Sequence, residues 1–378
     1  MLHVIDALGL GGGAEHALAT MLPRLREHGV ESAVVCLLPR EGGLQQRVRD
    51  EGFTVTVLPP GPLSRRVAAL RRLVRAWSPD LVHATLHHAC LAARLACVGL
   101  PVARLDSVVN TSYDPLRAAQ LGIPRWKLQG LRLLDATTAR ATGTHLHVLT
   151  GAVRREVVDE LGVPTTRVTV IPRGRSSAQL GEVSQERRTS ARRSLGVGDD
   201  EPLVLNVGRQ DGQKAQAELI RAFARVRGQH PRARLLIAGR DGDASERVQA
   251  AVAEVGGAGV ELLGHREDVP ELLAAADLFV FPSLYEGLGS AVIEAFALGV
   301  AVIGSDAPAI AEVLDGGDAG LVVARGDEVA LTRAIDELLA DDGRRRRLAD
   351  AGRRRFAACY ELDRVVDETV GLYQRLVG

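Results

Sequence analysis

Pro282-Ser-Leu-Tyr-Glu286-Gly-Leu-Gly-Ser-Ala-Val-Ile-Glu294-Ala is the stretch that decides how the chain is read. An apolar run, Asp277-Leu-Phe-Val-Phe281, precedes it and a second, Val300-Ala-Val-Ile-Gly304, follows. Short apolar runs bounded by glycine read as buried strands, and the intervening segment is too short for anything but a tight turn and a brief helix. The pattern predicts strand, glycine turn, helix, strand: one βαβ unit of a parallel sheet. Ser290 suits the helix start as a cap, and Gly299 falls just past its end.

Within this unit Glu286 falls in the turn and Glu294 about one turn inside the helix. On one continuous helix eight steps would leave them roughly 80° apart; across a turn-to-helix junction both can face one crevice. The helix N-terminus directs free N–H groups into the same crevice and favours an anion such as a diphosphate. Carboxylates beside it accept hydrogen bonds from hydroxyls, so the combination suits a sugar nucleotide. An isolated pair of glutamates at this spacing would be a turn residue and a solvated helix position. The Gly-Leu-Gly turn and the buried flanking strands favour the site.

Working outward, apolar runs at 2–6, 32–38, 53–58, 81–84, 102–105, 145–149 and 168–171 alternate with helical patterns. That alternation predicts a doubly wound parallel sheet. A polar, charged stretch over 173–201, with a short helical piece at 186–195, reads as a linker. Strand patterns then restart at Leu203-Val-Leu-Asn-Val-Gly and recur at 234–238, 259–263, 277–281, 301–304 and 321–323. The expected fold is α/β, two such domains in tandem with a cleft between the carboxyl ends of their strands, where small ligands bind. The expected division is 1–173, linker 174–201, 202–360, and a last amphipathic helix over 361–378. The apolar positions of that helix, Leu362, Val365, Val366, Val370 and Leu376, need a partner surface.

At 378 residues the chain can bury two proper cores. No apolar stretch reaches membrane-spanning length, and Met1-Leu-His-Val-Ile-Asp reads as a first strand rather than a signal peptide. Cys36, Cys90, Cys97 and Cys359 lack CxxC spacing and suit reduced thiols of a cytoplasmic protein. Net charge is zero, yet 1–172 holds 20 basic against 14 acidic residues and the remainder 27 against 33. In the basic half, 64–75 is a cationic amphipathic helix: Leu63, Val67, Leu70 and Val74 share a face beside Arg65, Arg66, Arg72 and Arg75. It is the candidate for peripheral contact with an anionic membrane face. Nothing points to nucleic acid.

Asn206-Val-Gly208-Arg209-Gln-Asp-Gly-Gln-Lys214 follows a strand and opens a helix. A guanidinium fork and an ammonium point charge at a strand end suit a diphosphate and would stabilise the charge of a leaving nucleoside diphosphate. Asp241-Gly-Asp243 has the form of a metal-binding DxD but sits in a loop and reads as a turn, so no metal is expected. Gly9-Leu-Gly-Gly12-Gly13-Ala-Glu15-His16 is a glycine-rich loop after the first strand whose backbone can approach a ligand. Its spacing is not that of a dinucleotide fingerprint, which disfavours NAD. Metal binding by His83, His87 and His88 is not expected, because no nearby acid completes a site with them.

Glu286-x7-Glu294, with Arg209 and Lys214 before it and Leu235-Leu-Ile-Ala-Gly239 and Leu263-Gly-His265 between, resembles the retaining glycosyltransferases of family 4. The resemblance spans nearly the whole chain and is strongest over 203–325. It implies the GT-B architecture, two Rossmann-like domains facing a central cleft, with the last helix crossing back to the first domain. It implies transfer of a sugar from a nucleoside-diphosphate donor to a glycan, lipid-linked or small-molecule acceptor, with retention and without metal or cofactor. Glu286, Arg209 and Lys214 would be catalytic. Glu294, Leu288, Gly289, Ser290 and Gly208 would bind the donor, with Glu294 on the ribose. Gly12, Gly13, His83 and Asn110 would form the acceptor side and phosphate loop. Two departures stand out: Asn110 where many relatives carry a histidine, and Arg173 in Ile171-Pro-Arg173-Gly-Arg where relatives usually carry asparagine. Asparagine cannot carry a proton at neutral pH. A sugar-nucleotide epimerase and a non-catalytic sugar-nucleotide-binding protein are the alternatives.

Overall fold

A computed structural model describes every residue except 10–12, 41–42, 121 and 258. The chain forms two compact units. Met1–Tyr113, Gly122–Gly174 and Leu362–Gly378 make the first, and Asp114–Leu121 with Arg175–Glu361 make the second.

The first unit is built on strands β1 (Leu2–Ile5), β2 (Ala33–Cys36), β3 (Thr54–Val57), β4 (Leu81–Thr85), β5 (Ala103–Val108), β6 (His145–Val148) and β7 (Val168–Val170). They pair in parallel in the order β3-β2-β1-β4-β5-β6-β7. Parallel pairing requires crossover connections, which helices supply, and helices cover both faces of such a sheet, so its strands read as unbroken apolar runs. The order reverses between β1 and β4, which makes that gap the switch point where ligands bind in open α/β sheets.

The second unit carries β8 (Leu203–Val207), β9 (Arg234–Ala238), β10 (Val260–Gly264), β11 (Leu278–Phe281), β12 (Ala301–Ser305) and β13 (Leu321–Val323), in the parallel order β10-β9-β8-β11-β12-β13. Its switch point lies between β8 and β11. One face is sealed by helices Gln216–Val226 and Glu328–Ala340, which bring Ile220, Phe223, Ile335 and Leu338 onto Val204, Leu278 and Val280. Each such fully buried side chain contributes about 1.5–3 kcal/mol of transfer free energy.

Three sequence expectations change. Residues 175–201 are not a free linker. Helix Gln185–Ser194 is locked into the second unit because buried Arg192 donates to the carbonyls of Ala275 (2.8 Å) and Gly198 (2.6 Å), while Arg188 pairs with Asp277 at 2.6 Å. Helix Leu63–Trp77 does not keep an apolar face for a membrane. Leu70 and Val74 are buried, with Leu63 and Val67 packed beside them against Leu2, Val35 and Val82. Residues 114–121, expected with the first domain, belong to the second unit, where helix Pro115–Gln120 lies on the turn at 212–214.

The last helix, Leu362–Val377, belongs to the first unit. Its Leu362, Val365, Val366, Val370 and Tyr373 form one cluster with Leu25, Leu81, Leu105 and Ile171.

Candidate active site

At the switch point of the second sheet two loops leave neighbouring strands. The loop after β8 runs close under the end of β9: Gly208 N–H donates to the Ala238 carbonyl at 2.9 Å. A Cβ on Gly239 would lie 1.9 Å from the Gly208 carbonyl oxygen, so only glycine fits there. A short 3-10 turn, Gly212–Lys214, then presents Lys214. The loop after β11 is sewn to it. Leu284 N–H donates to the Gln213 carbonyl at 2.8 Å, and the Gln213 side-chain amide donates to the Tyr285 carbonyl at 2.7 Å. Beneath them Asn206 donates to the Val280 carbonyl (2.8 Å), and Gln216 donates to Asn206 Oδ1 and the Gly208 carbonyl (both 2.9 Å).

These bonds bring together Lys214 and Glu286. Their side chains form an ion pair at 17% and 11% exposure, and the ammonium sits 4.9 Å from the centre of the Phe281 ring. Arg209 is on the same loop but pairs with Asp211 (2.5 Å) rather than with either glutamate, and its side chain is half exposed.

Helix Ser290–Ala297 begins just beyond Glu286. Ser290 does not cap it. Gly289 takes the cap position at φ +83°, with no side-chain hydrogen bond there, because the backbone turns through the left-handed region. A Cβ on Gly289 would meet Ile310 Cδ1 at 2.7 Å. Leu288 is buried and holds the turn from below. The absence of a side-chain cap leaves first-turn N–H groups for an anion. Glu294 lies in the next turn, where its Oε1 accepts from Arg175 Nε at 2.6 Å.

Of the DxD-like segment, Asp243 braces the 212–214 turn, while Asp241 faces Ser245 at the start of the next helix. Asp243 Oδ1 accepts from Gly212 N–H at 2.8 Å, and Gly242 N–H donates to Ser245 Oγ at 2.9 Å. Among the described residues no group of three His, Cys, Asp or Glu is arranged to hold a metal ion.

In the first unit, Gly13 opens helix Gly13–Glu27, whereas Gly12 lies outside the described residues. Asp6, at the end of β1, accepts from Ala89 N–H (2.7 Å) and meets His88 Nδ1 at 3.2 Å, so it caps helix His87–Ala96 from the neighbouring strand end. Asn110 follows β5 and accepts from Thr111 N–H at 2.8 Å, closing a turn. His83 is not at a strand end. It is buried within β4, bonded through Nδ1 to Tyr373 (2.8 Å) and through Nε2 to Ser107 (2.6 Å). Ser107 in turn meets His147 Nδ1 at 2.7 Å. Burial holds His83 well below the usual imidazole range and brings His147 down to about 4 and His3 to about 3, so this row stays neutral and serves the core. A second buried network went unread in the sequence. Arg94 pairs with Asp106 at 2.5 Å and with Asp135, which accepts from Tyr113 OH at 2.6 Å. Burial outweighs Arg94's attraction and pushes Asp106 up to about 6.

Residues 187–355 match the family described as Glycosyl transferases group 1, and residues 12–174 match the Glycosyl transferase 4-like domain. The chain belongs to the group 1/4-like glycosyltransferases. It is 30% identical over 227 residues to an uncharacterized glycosyltransferase of Methanocaldococcus jannaschii, covering 59% of this chain and 58% of that protein. It is 29% identical over 333 residues to alpha-maltose-1-phosphate synthase of Mycolicibacterium smegmatis, 82% of each chain. The structure of Anabaena HepE in complex with UDP and glucose superposes with a TM-score of 0.85 at 20% identity, over 99% of both chains. With the two parallel sheets described above, that likeness gives this glycosyltransferase the two-domain Rossmann-like GT-B fold.

In this glycosyltransferase the residue most clearly missed by sequence reading is Arg175. It stands in the unusual Pro172-Arg-Gly-Arg segment, and that departure was the available signal. Gln213, Asn206 and Gln216 were equally silent, because an amide that braces a loop leaves no pattern.

Proposed function

We propose that the chain moves a sugar from a nucleoside-diphosphate donor to a glycan, lipid-linked or small-molecule acceptor, retaining the anomeric configuration. The observation that carries this reading is the Lys214–Glu286 pair, held by two sewn loops at the switch point of the second sheet, next to a helix start with no side-chain cap. In this reading Glu286 accepts hydrogen bonds from donor-sugar hydroxyls, and Glu294 accepts from the ribose. The backbone N–H groups of Leu288, Gly289 and Ser290 meet the sugar and phosphate, and Gly208 lets the backbone approach the diphosphate. Lys214, with Arg209 turned from Asp211, stabilises the charge gathering on the leaving diphosphate. The bond from the anomeric carbon to the diphosphate oxygen breaks while the acceptor oxygen bonds on the same face. The acceptor's proton passes to the departing phosphate. Fixed cations perform the task a divalent ion performs elsewhere, so the reaction is read as metal-independent and cofactor-free. Gly13 and Asn110 remain the acceptor-side candidates.

The test is a thermal-shift screen against UDP, ADP, GDP and dTDP and their sugars, followed by product analysis with and without acceptors. Selective stabilisation by one nucleoside diphosphate supports the donor site. Sugar conversion without any acceptor would favour an epimerase, and binding without turnover a non-catalytic partner.

Four free cysteines support a cytoplasmic setting. No described helix is long and apolar enough to cross a membrane. For peripheral contact the better surface is helix Arg125–Ala141. Trp126 is 75% and Leu133 62% exposed there, with Leu131 and Leu134 also exposed beside Arg125, Lys127 and Arg132. Apolar anchors among cations suit an anionic lipid surface. Flotation with anionic and neutral vesicles at low and high salt, using Trp126→Ala as control, tests it. Equal absence of binding throughout leaves a soluble acceptor.

A further inference from the structure

We propose that Arg175 is a positioning residue of the nucleotide site, holding the Glu294 carboxylate so that its second oxygen meets the ribose hydroxyls; this rests on the donor reading above. The two side chains are 20% and 19% exposed, and Arg175 Nε donates to Glu294 Oε1 at 2.6 Å across 119 residues of sequence. A glutamate on a short helix has three rotatable side-chain bonds and would otherwise sample several rotamers. A charge-assisted bond to a planar guanidinium selects one, and it engages Oε1, which leaves Oε2 to accept from a hydroxyl.

The guanidinium itself stands on a fixed backbone. Arg175 N–H donates to the Tyr360 carbonyl at 2.9 Å, and Arg175 forms a parallel bridge with Glu361. Ser177 N–H donates to Glu361 Oε1 at 3.1 Å. One residue earlier, a Cβ on Gly174 would lie 2.7 Å from Leu362 Cα, so the outgoing and returning segments touch with no room between them. Helix Ser177–Leu180, which follows at once, packs on helix Ser290–Ala297. Arg175 therefore reaches Glu294 from an anchored segment lying against the helix that carries it. An arginine at an exposed linker position would gain little from such a pair; here both groups are largely withdrawn from solvent.

The test compares the full chain with Arg175→Ala by calorimetry. The probes are the nucleoside diphosphate that wild type binds best among UDP, ADP and GDP, its 2′,3′-dideoxy analogue, and pyrophosphate. Removing the ribose hydroxyls is expected to weaken wild-type binding about tenfold, the loss of a hydrogen bond to a charged group. In Arg175→Ala that penalty shrinks below about threefold, while pyrophosphate binds both proteins alike. Arg175→Met, which keeps the apolar stem, carries the same comparison should the alanine variant fail to fold. An unchanged dideoxy penalty overturns the proposal. So does an equal loss toward pyrophosphate, which would put Arg175 on the phosphates. If wild type binds neither these three nor dTDP, the donor reading itself falls and takes this one with it; binding of dTDP alone keeps the donor reading and overturns this proposal, because that nucleotide lacks the 2′-hydroxyl.

Discussion

Replacing Lys214 by methionine removes the ammonium while keeping most of the stem over Phe281. Its consequences for stability and for chemistry can be separated. Breaking a fully buried ion pair on one side costs about 3–5 kcal/mol, whereas an exposed pair is worth under about 1 kcal/mol. With the two side chains at 17% and 11% exposure, the pair lies between these limits. Lys214→Met is expected to cost about 2 kcal/mol, because it leaves the Glu286 carboxylate without its cation. Glu286→Gln removes the charge from the other side and is expected to cost about 1 kcal/mol. The double variant should then be less destabilised than the sum by roughly 1 kcal/mol, as for groups in direct contact. Urea unfolding measures these differences. Turnover answers a different question. Each single variant, shown to be folded, should transfer sugar about a hundredfold more slowly at saturating donor, equivalent to about 2.7 kcal/mol of transition-state stabilisation. If both turn over within a few-fold of wild type, the pair is a structural clasp and the catalytic roles given to it are wrong.

Three further outcomes are expected. His3, His83 and His147 are held neutral in the folded chain, so as pH falls below 6.5 the unfolded state takes up protons that the folded state refuses. Asp106, pushed up to about 6, works the other way by gaining its proton first in the folded state, so the net loss between about pH 6 and 4 should be roughly 1–3 kcal/mol per pH unit in denaturant titrations; a flat profile would refute it. Gly289→Ala forces a side chain into a left-handed φ and against Ile310, which should cost about 1–3 kcal/mol in unfolding and weaken nucleotide binding; an unchanged melt would mean the turn relaxes freely. Turnover should survive EDTA, and loss restored by Mg²⁺ or Mn²⁺ would return Asp241 and Asp243 to consideration as ligands.

The sheets were legible because each strand is a short, unbroken apolar run between turn residues, and the chain offers few competing patterns. Glu286 and Lys214 were legible because both sit one loop beyond such a run. What stayed hidden depended on packing. The apolar stripe of 63–77 looks the same whether it meets lipid or a core, and only Leu70 and Val74 under the first sheet decide it. The polar composition of 175–201 suggested solvent, yet Arg192 satisfies its charge on the Ala275 and Gly198 carbonyls and on Asp277 within the second unit. His83 fits a ligand site by type, and it takes Tyr373, 290 residues away, to make it a core group. At Gly289 a serine one position later offered the familiar cap, but the backbone's handedness required glycine.

The pairing of Arg175 with Glu361 also has a topological meaning. Nearly all of the second unit is one uninterrupted insertion into the first, and its ends emerge side by side, about 5 Å apart as neighbouring strands are. Such an insertion can be lifted out and its host resealed with a single short turn, or replaced by the corresponding unit of a relative without designing a new connector. Only the helix Pro115–Gln120, lent by the host sequence, would have to travel with it. A chain wired this way can exchange its second unit as a cassette while Met1 and Gly378 stay with the first.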